Sequence, residues 1–312
     1  MTALAVPAAT ADPVAHADWL ELAAIAARDR NSSLADLAGE LRRAGSAEEV
    51  EDEGDADETG DRGGETIEPI AESAFEEIED RSTGCDEAYP FELGESHLQL
   101  KPHSQGSVYL FLLLLSVFGL DASPDGLNAA QLFEEVSALA LANYLGGVEK
   151  GVQSLQFGFP RRLAPAGFRA AVEDLCGRIG EGEGPRDRPT AGYQKDASLD
   201  LIAWRPFPDG RRSSVMTWGQ CATGEDWREK LTEMHPHSWC AKWLREMPTV
   251  VPLRAFFVPR RVERKHWVAA AYDGGVLFDR CRIAAFANPL PIELRSRCRE
   301  FTKHVIKTKV TG

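Results

Sequence analysis

Asp200 sits inside Leu199 to Trp204 (LDLIAW), a run of strand-forming residues where an aspartate is disfavoured. A second strand pattern, Ser214 to Cys221 (SVMTWGQC), follows the turn signal Pro208-Asp209-Gly210. A hairpin centred on Gly210 makes antiparallel partners sum to about 420, which sets Asp200 opposite Gln220. A carboxylate and an amide oxygen could then converge at one end of the hairpin. Glu134 or Glu135, on a helix earlier in the chain, could add a second carboxylate. Two carboxylates and a neutral oxygen suit a hard divalent ion such as Mg²⁺, with Mn²⁺ as an alternative. Such an ion lowers the pKa of bound water and stabilises charge on a scissile phosphate. The ordinary fate of helix glutamates is a solvent-facing surface, and Asp196 reads equally as a turn aspartate.

These residues must be positioned by an α/β scaffold. Ser107 to Gly119 reads as a buried helix, and Ala129 to Leu145 as a second, stopped by Gly146-Gly147. A strand is expected around Leu155 to Phe159 and a helix over Pro165 to Ile179. The hairpin follows, then a helix from about Glu225 to Met234 that Thr223 and Asp226 could cap. Further strands are expected at Leu253 to Val258 and Gly275 to Asp279. This order implies a partly antiparallel, mixed sheet flanked by helices.

The same elements resemble the PD-(D/E)xK nuclease superfamily, closest to Mrr-type restriction endonucleases. In that family a helix carries "FE", the second strand "DGGxD" and the third strand "QxK". Phe133-Glu134 matches the first element, Asp196-Ala197-Ser198-Leu199-Asp200 the second, and Gln220-Cys221-Ala222 the third. The resemblance spans roughly 128 to 258 and implies a restriction-endonuclease-like fold over 81–312. It implies Glu134, Asp200 and Gln220 as metal ligands. Ala222 stands where the family has the lysine that assists the attacking water. Lys230 is the first substitute, Lys195 the second and Lys242 the third.

Charge is distributed unevenly. The 312 residues carry 35 Lys+Arg and 49 Asp+Glu, a net charge of −14. Ser46 to Asp80 holds 16 acids and one arginine, while Ala241 to Gly312 holds 15 basic residues and 6 acids. The acidic block 46–80 reads as a largely disordered linker, clearest over Ser46 to Glu65. It is either a solvated spacer or an acidic mimic of nucleic acid that shields a basic surface. Basic residues at Arg161-Arg162, Arg211-Arg212, Arg260-Arg261, Arg264-Lys265 and Arg295 to Arg299 could line a phosphate-binding surface.

Residues 1–45 read as a small helical hairpin, Asp18 to Arg28 and Ser33 to Arg43, with Asn31-Ser32-Ser33 supplying the turn and N-cap. Helix Ile67 to Ile78 could extend it. Nothing basic lies on a recognition helix, so partner docking is expected. Six cysteines without a CxxC pair suggest reduced thiols and a cytoplasmic protein, and no signal peptide or membrane span is evident. His235, His237 and Cys240 offer zinc-type ligands but lack a second cluster. The seven tryptophans, Trp227, Trp239 and Trp243 among them, are expected in the core rather than stacked on bases.

The expected function is Mg²⁺-dependent hydrolysis of double-stranded DNA in prokaryotic restriction or anti-phage defence, with a homodimer as one assembly. Asp200, Glu134 and Gln220 would hold the ion and Lys230 would assist the water. One alternative is a non-cleaving subunit that binds nucleic acid or a partner, favoured by Ala222. Another is a DNA-binding regulator driven by the N-terminal helices.

Overall fold

The computed structural model describes residues 4–51, 67–162, 164–187 and 195–311. Among them are eleven α-helices, a five-stranded mixed sheet and a small three-stranded antiparallel sheet.

The large sheet is built from β4 (Gln153–Gln156), β5 (Leu201–Arg205), β6 (Val215–Cys221), β7 (Leu253–Phe257) and β8 (Val276–Phe278), side by side in chain order. The first two pairings are antiparallel and the last two parallel. The hairpin register is the expected one, with Leu201 opposite Gly219 and Arg205 opposite Val215. The C-terminal ends of β4, β6, β7 and β8 therefore share one edge of the sheet with the start of β5.

Each face of the sheet has its own apolar cover. Leu201, Ala203, Ala255, Phe257 and Phe278 join a core with α4 (Val108–Phe118) and α5 (Ala129–Tyr144). Every residue of α4 from Val108 to Ser116 is buried, as its unbroken YLFLLLL run requires. The side chain of Ser107 caps its start and Gly119 ends it with φ +73°. Ile202, Trp204, Met216 and Trp218 face a second core, which α6 (Phe168–Ile179) and α8 (Pro236–Trp243) complete with Phe168, Leu175, Trp239 and Trp243. A third cluster joins Ala222, Phe256 and Leu277 to Trp227 and Leu231. Trp227, Trp239 and Trp243 are thus core residues.

Some expected elements are shorter or displaced. The strand near 155–159 is 153–156. The helix expected over 225–234 is the single turn α7 (Trp227–Lys230), and the Thr223 side chain does not cap it. Pro236 accounts for the interruption: it forces His235 into extended backbone (φ −115°, ψ 113°) and starts α8.

The N-terminal region differs most from expectation. Helix α1 (Pro13–Ala26) and α2 (Leu34–Glu51) are joined by β1 (Asn31–Ser33), which pairs with β3 (His97–Leu100), itself paired with β2 (Phe91–Leu93). Ser33 and Asp36 form a reciprocal capping box at the start of α2. Residues 67–80, expected in the linker, belong to helix α3 (Ile67–Cys85). Ile67, Ala71, Ala74, Phe75 and Ile78 recur at helical spacing and are buried, which outweighs the local acidity. Residues 46–51 continue α2, and 52–66 lie outside the described residues. Helices α1 and α3 share one core with α4 and α5, so α1 packs into the body of the fold rather than standing apart from it.

Buried ions lock this junction. Arg81 and Arg280 are both fully buried, the latter on α10 (Arg280–Ala287). Arg81 binds Asp18 (2.7 Å), Glu21 (3.0 Å) and Glu77 (2.9 Å), while Arg280 binds Asp18 at 2.6 Å. Tyr89 and Tyr109 donate their hydroxyls to Glu21 Oε1. Burial alone would raise the Asp18 carboxyl, but Arg280 and Arg81 outweigh it and hold the group below its ordinary value. No described helix is long and apolar enough to cross a membrane. All six cysteines are free thiols.

Candidate functional site

Glu134 lies half-buried on α5, facing the end of β4. There Gln156 donates from Nε2 to Glu134 Oε2 at 2.6 Å and to the Gly158 carbonyl at 3.0 Å. The Gly158 backbone presses against the carboxylate: a Cβ at this position would stand 2.5 Å from Glu134 Oε2. Gly158→Ala is therefore expected to displace the Glu134 carboxylate while lowering Tm by only a few degrees, since a flexible side-chain end yields at small cost. Calorimetric Mn²⁺ titration should show weakened binding in this variant, whereas wild-type affinity would mean that Glu134 is not a ligand.

Asp200 immediately precedes β5, where the regular ladder ends. Its N–H donates to Gly219 O (2.9 Å), and its carbonyl accepts from the N–H groups of Phe157 (2.7 Å) and Gly158 (2.8 Å). Its carboxylate Oδ2 accepts from the Cys221 N–H at 2.7 Å. Gly158 thus bridges the two acids, touching Glu134 and bonded to Asp200. Burial raises the Glu134 carboxyl to about 7, against the Gln156 hydrogen bond and with help from Asp196 and Glu135. Burial, then the Glu134 charge, push the Asp200 carboxyl well above its ordinary value, while the Cys221 N–H opposes the rise.

Asp196 closes the group. Its Oδ1 accepts from the Ser198 N–H at 3.0 Å, and Ala197 and Ser198 both adopt left-handed backbone, with φ +57° and +63°. This conformation disfavours any residue but glycine, and costs of order 1–3 kcal/mol at each such position. The chain accepts that cost immediately before Asp200.

The remaining expected residues divide. Glu135 is not at the site: it is ion-paired with Arg297 (2.6 Å) and Arg162 (3.3 Å). Gln220 is buried and donates to Glu233 at 2.8 Å, and no hydrogen bond joins it to Asp200 or Glu134 among the described residues. The slip of the ladder at Asp200 explains this, because the carboxylate turns to the Cys221 N–H. The Gln220 Oε1 is left buried without a partner. Ala222 lies in the apolar cluster with Trp227 and Leu231. Lys230 pairs with Asp226 at 3.5 Å, and Lys242 sits 4.6 Å from the Trp243 ring centroid. Lys195 is at the rim, its Nζ 5.8 Å from the Phe159 ring centroid and its carbonyl bonded to Arg161.

Gln156, Gly158 and Glu233 were not legible as site residues, while Arg161 was named only among the basic residues of a phosphate-binding surface. Only the position of Gln156 at a strand end, in line with Asp200, could have drawn attention to it.

Most of the basic clusters are neutralised internally. Arg162 binds Glu293 and Glu135, Arg212 binds Glu183 and Glu246, and Arg261 binds Glu77 and Asp279. Arg264 binds Asp80. Glu77 and Asp80 come from the acidic block, so part of that block does cover basic residues of the C-terminal region. The zinc grouping fails on its thiol: Cys240 is fully buried, and desolvation pushes it up to about 12.

Among the described residues no three His, Cys, Asp or Glu side chains form a preassembled metal cage. Mg²⁺ does not require one, since it commonly binds through one or two carboxylates with water and substrate oxygens. Comparison with known proteins found no matching family model, no matching curated protein and no matching solved structure.

Proposed function

We propose that this chain is a metal-dependent nuclease of the PD-(D/E)xK type, hydrolysing phosphodiester bonds of double-stranded DNA in prokaryotic restriction or anti-phage defence. The observation that carries this reading is the convergence of Glu134 and Asp200. Separated by 66 positions in sequence, they meet on Gly158 at one sheet edge as two desolvated acids whose pKa values are raised. A divalent cation would relieve that cost. The left-handed pair Ala197–Ser198 adds support, because it occupies the two positions that carry glycine in the family pattern.

Glu134 and Asp200 would hold Mg²⁺ or Mn²⁺, and the orphaned Gln220 Oε1 is a further neutral donor nearby in the hairpin. The bound ion would polarise the scissile phosphate and lower the pKa of the attacking water. The protein's own part is to fix the two carboxylates: Gln156 orients Glu134, and the Cys221 N–H orients Asp200.

Cleavage of supercoiled plasmid with Mg²⁺, Mn²⁺ or EDTA tests the reading. Asp200→Ala is expected to lower the metal-dependent rate at least 10²-fold, the scale on which transition-state charge stabilisation is lost. Equal cleavage by both proteins would defeat the assignment. A second reading, a non-cleaving subunit that binds nucleic acid or a partner, draws on the burial of Ala222 and the engagement of Lys230 with Asp226. It predicts no cleavage and equal DNA binding by wild type and Asp200→Ala.

A further inference from the structure

We propose that Arg161 is the substrate-contacting cation of this site and grips a non-bridging oxygen of a phosphodiester bound against Glu134 and Asp200. The inference rests on the nuclease reading and supplies the positive charge that Ala222 does not.

Arg161 is held in an unusual way for an arginine beside acids. Its guanidinium carbon lies 4.7 Å from the Phe157 ring centroid and 6.0 Å from that of Phe159. Nη1 donates to the Ala166 carbonyl at 2.9 Å and Nη2 to the Lys195 carbonyl. Both acceptors are neutral. Glu134 and Asp196 lie within electrostatic reach, yet Arg161 forms no ion pair among the described residues. Neighbouring Arg162, by contrast, has two carboxylate partners. The Arg161 Nε–H is buried and has no partner at all.

A guanidinium has five N–H donors in a fixed fork. Here two are spent on carbonyls that fix its plane, one is orphaned, and the charge is unpaired. A buried donor without a partner costs about 1–3 kcal/mol. The arrangement leaves a cation oriented by neutral carbonyls within electrostatic reach of Glu134 and Asp196. A phosphodiester fits between them chemically, with its oxygens toward the guanidinium.

Hydrolysis requires such a group. The water oxygen forms a new bond to phosphorus, and the bond from phosphorus to one sugar oxygen breaks with its electron pair. The water loses one proton to solvent, and the departing sugar oxygen gains one. Negative charge concentrates on the phosphoryl oxygens in the transition state, where a preorganised donor acts most strongly.

The test compares full-length wild type, Arg161→Met and Arg161→Lys in Mn²⁺ titration calorimetry, thermal melting and plasmid cleavage at saturating Mn²⁺. Arg161→Met is expected to bind Mn²⁺ at least as tightly as wild type and to cleave about 10²–10³-fold more slowly. Arg161→Lys, which keeps the charge, should recover part of the rate and serves as the readout if the methionine variant does not fold. Wild-type cleavage by Arg161→Met overturns the assignment and leaves the nuclease reading standing. Loss of Mn²⁺ binding together with cleavage also overturns it, because Arg161 would then only support the carboxylates. Absence of cleavage by wild type overturns both.

Discussion

Arg280→Ala is expected to lower the stability of the whole fold by about 3–5 kcal/mol, the cost of leaving buried carboxylates without their partner. Arg280 is fully buried and holds both oxygens of Asp18, the Ser116 hydroxyl and the Pro259 carbonyl. Its loss leaves Asp18 to Arg81 alone, and Arg81 must already serve Glu21 and Glu77. Domains are typically stable by only about 5–15 kcal/mol, so this one substitution removes a large part of the total. Thermal melting should show a fall in Tm on the order of 10 °C. Replacing the pair together, Asp18→Leu with Arg280→Met, should cost less than the sum of the single changes. Equal Tm values for wild type and Arg280→Ala would show that the network carries no net stability. The same geometry makes deletion of residues 1–45 a test of folding rather than of docking.

In metal-free protein the Glu134 carboxyl imposes a pH dependence of definite sign. Its pKa rises from 4.5 in the open chain to about 7 in the fold, so the native state holds this proton more tightly than the unfolded state does. The associated stability is fully present below about pH 4.5 and is lost as pH rises through about 7. The total is about 3 kcal/mol at most, and less with allowance for partial solvent exposure. Asp200 acts in the same direction. Denaturant titrations in EDTA should show this decline, and Glu134→Gln should flatten it. If Glu134 and Asp200 hold a metal as proposed, added Mn²⁺ should reverse the trend, because the ion would bind the ionised carboxylates and stabilise the fold more as pH rises. A wild-type curve unchanged by Glu134→Gln would remove Glu134 from the site.

The scaffold of the site was legible in the sequence because its signals are local and agree with one another. The Pro208-Asp209-Gly210 turn and the apolar alternation around it fixed the hairpin register to the residue. The buried helix 108–118 followed from an unbroken apolar run with a serine before it and a glycine after it. Asp200 stood out because it is a charge in a strand pattern, whereas only the family resemblance separated Glu134 from Glu135. Gln220 bonds Glu233 rather than Asp200 for a physical reason: period-two alternation assumes a regular ladder, and the ladder breaks at Asp200. Gln156 and Gly158, which pack against Glu134, were not legible because the loop that carries Gly158 takes a path set by tertiary contacts. A helix at 67–78 was legible, but the acidity of 67–80 hid its place in the core, because charge on one face says nothing about burial on the other.

The bond between Asp18 and Arg280 spans 262 positions of the chain. During synthesis at about 5–20 residues per second, roughly 10–50 s separate the emergence of the two partners. Throughout that interval Asp18 has only Arg81 as its guanidinium partner, and the apolar residues that α10 adds to the shared core are missing. Closing so long a loop also slows the final collapse. Nascent chains that stop before Arg280 therefore present an unfinished core beside α4 and α5, a surface for chaperones and proteases to act upon, and the finished protein emerges only when its last quarter arrives.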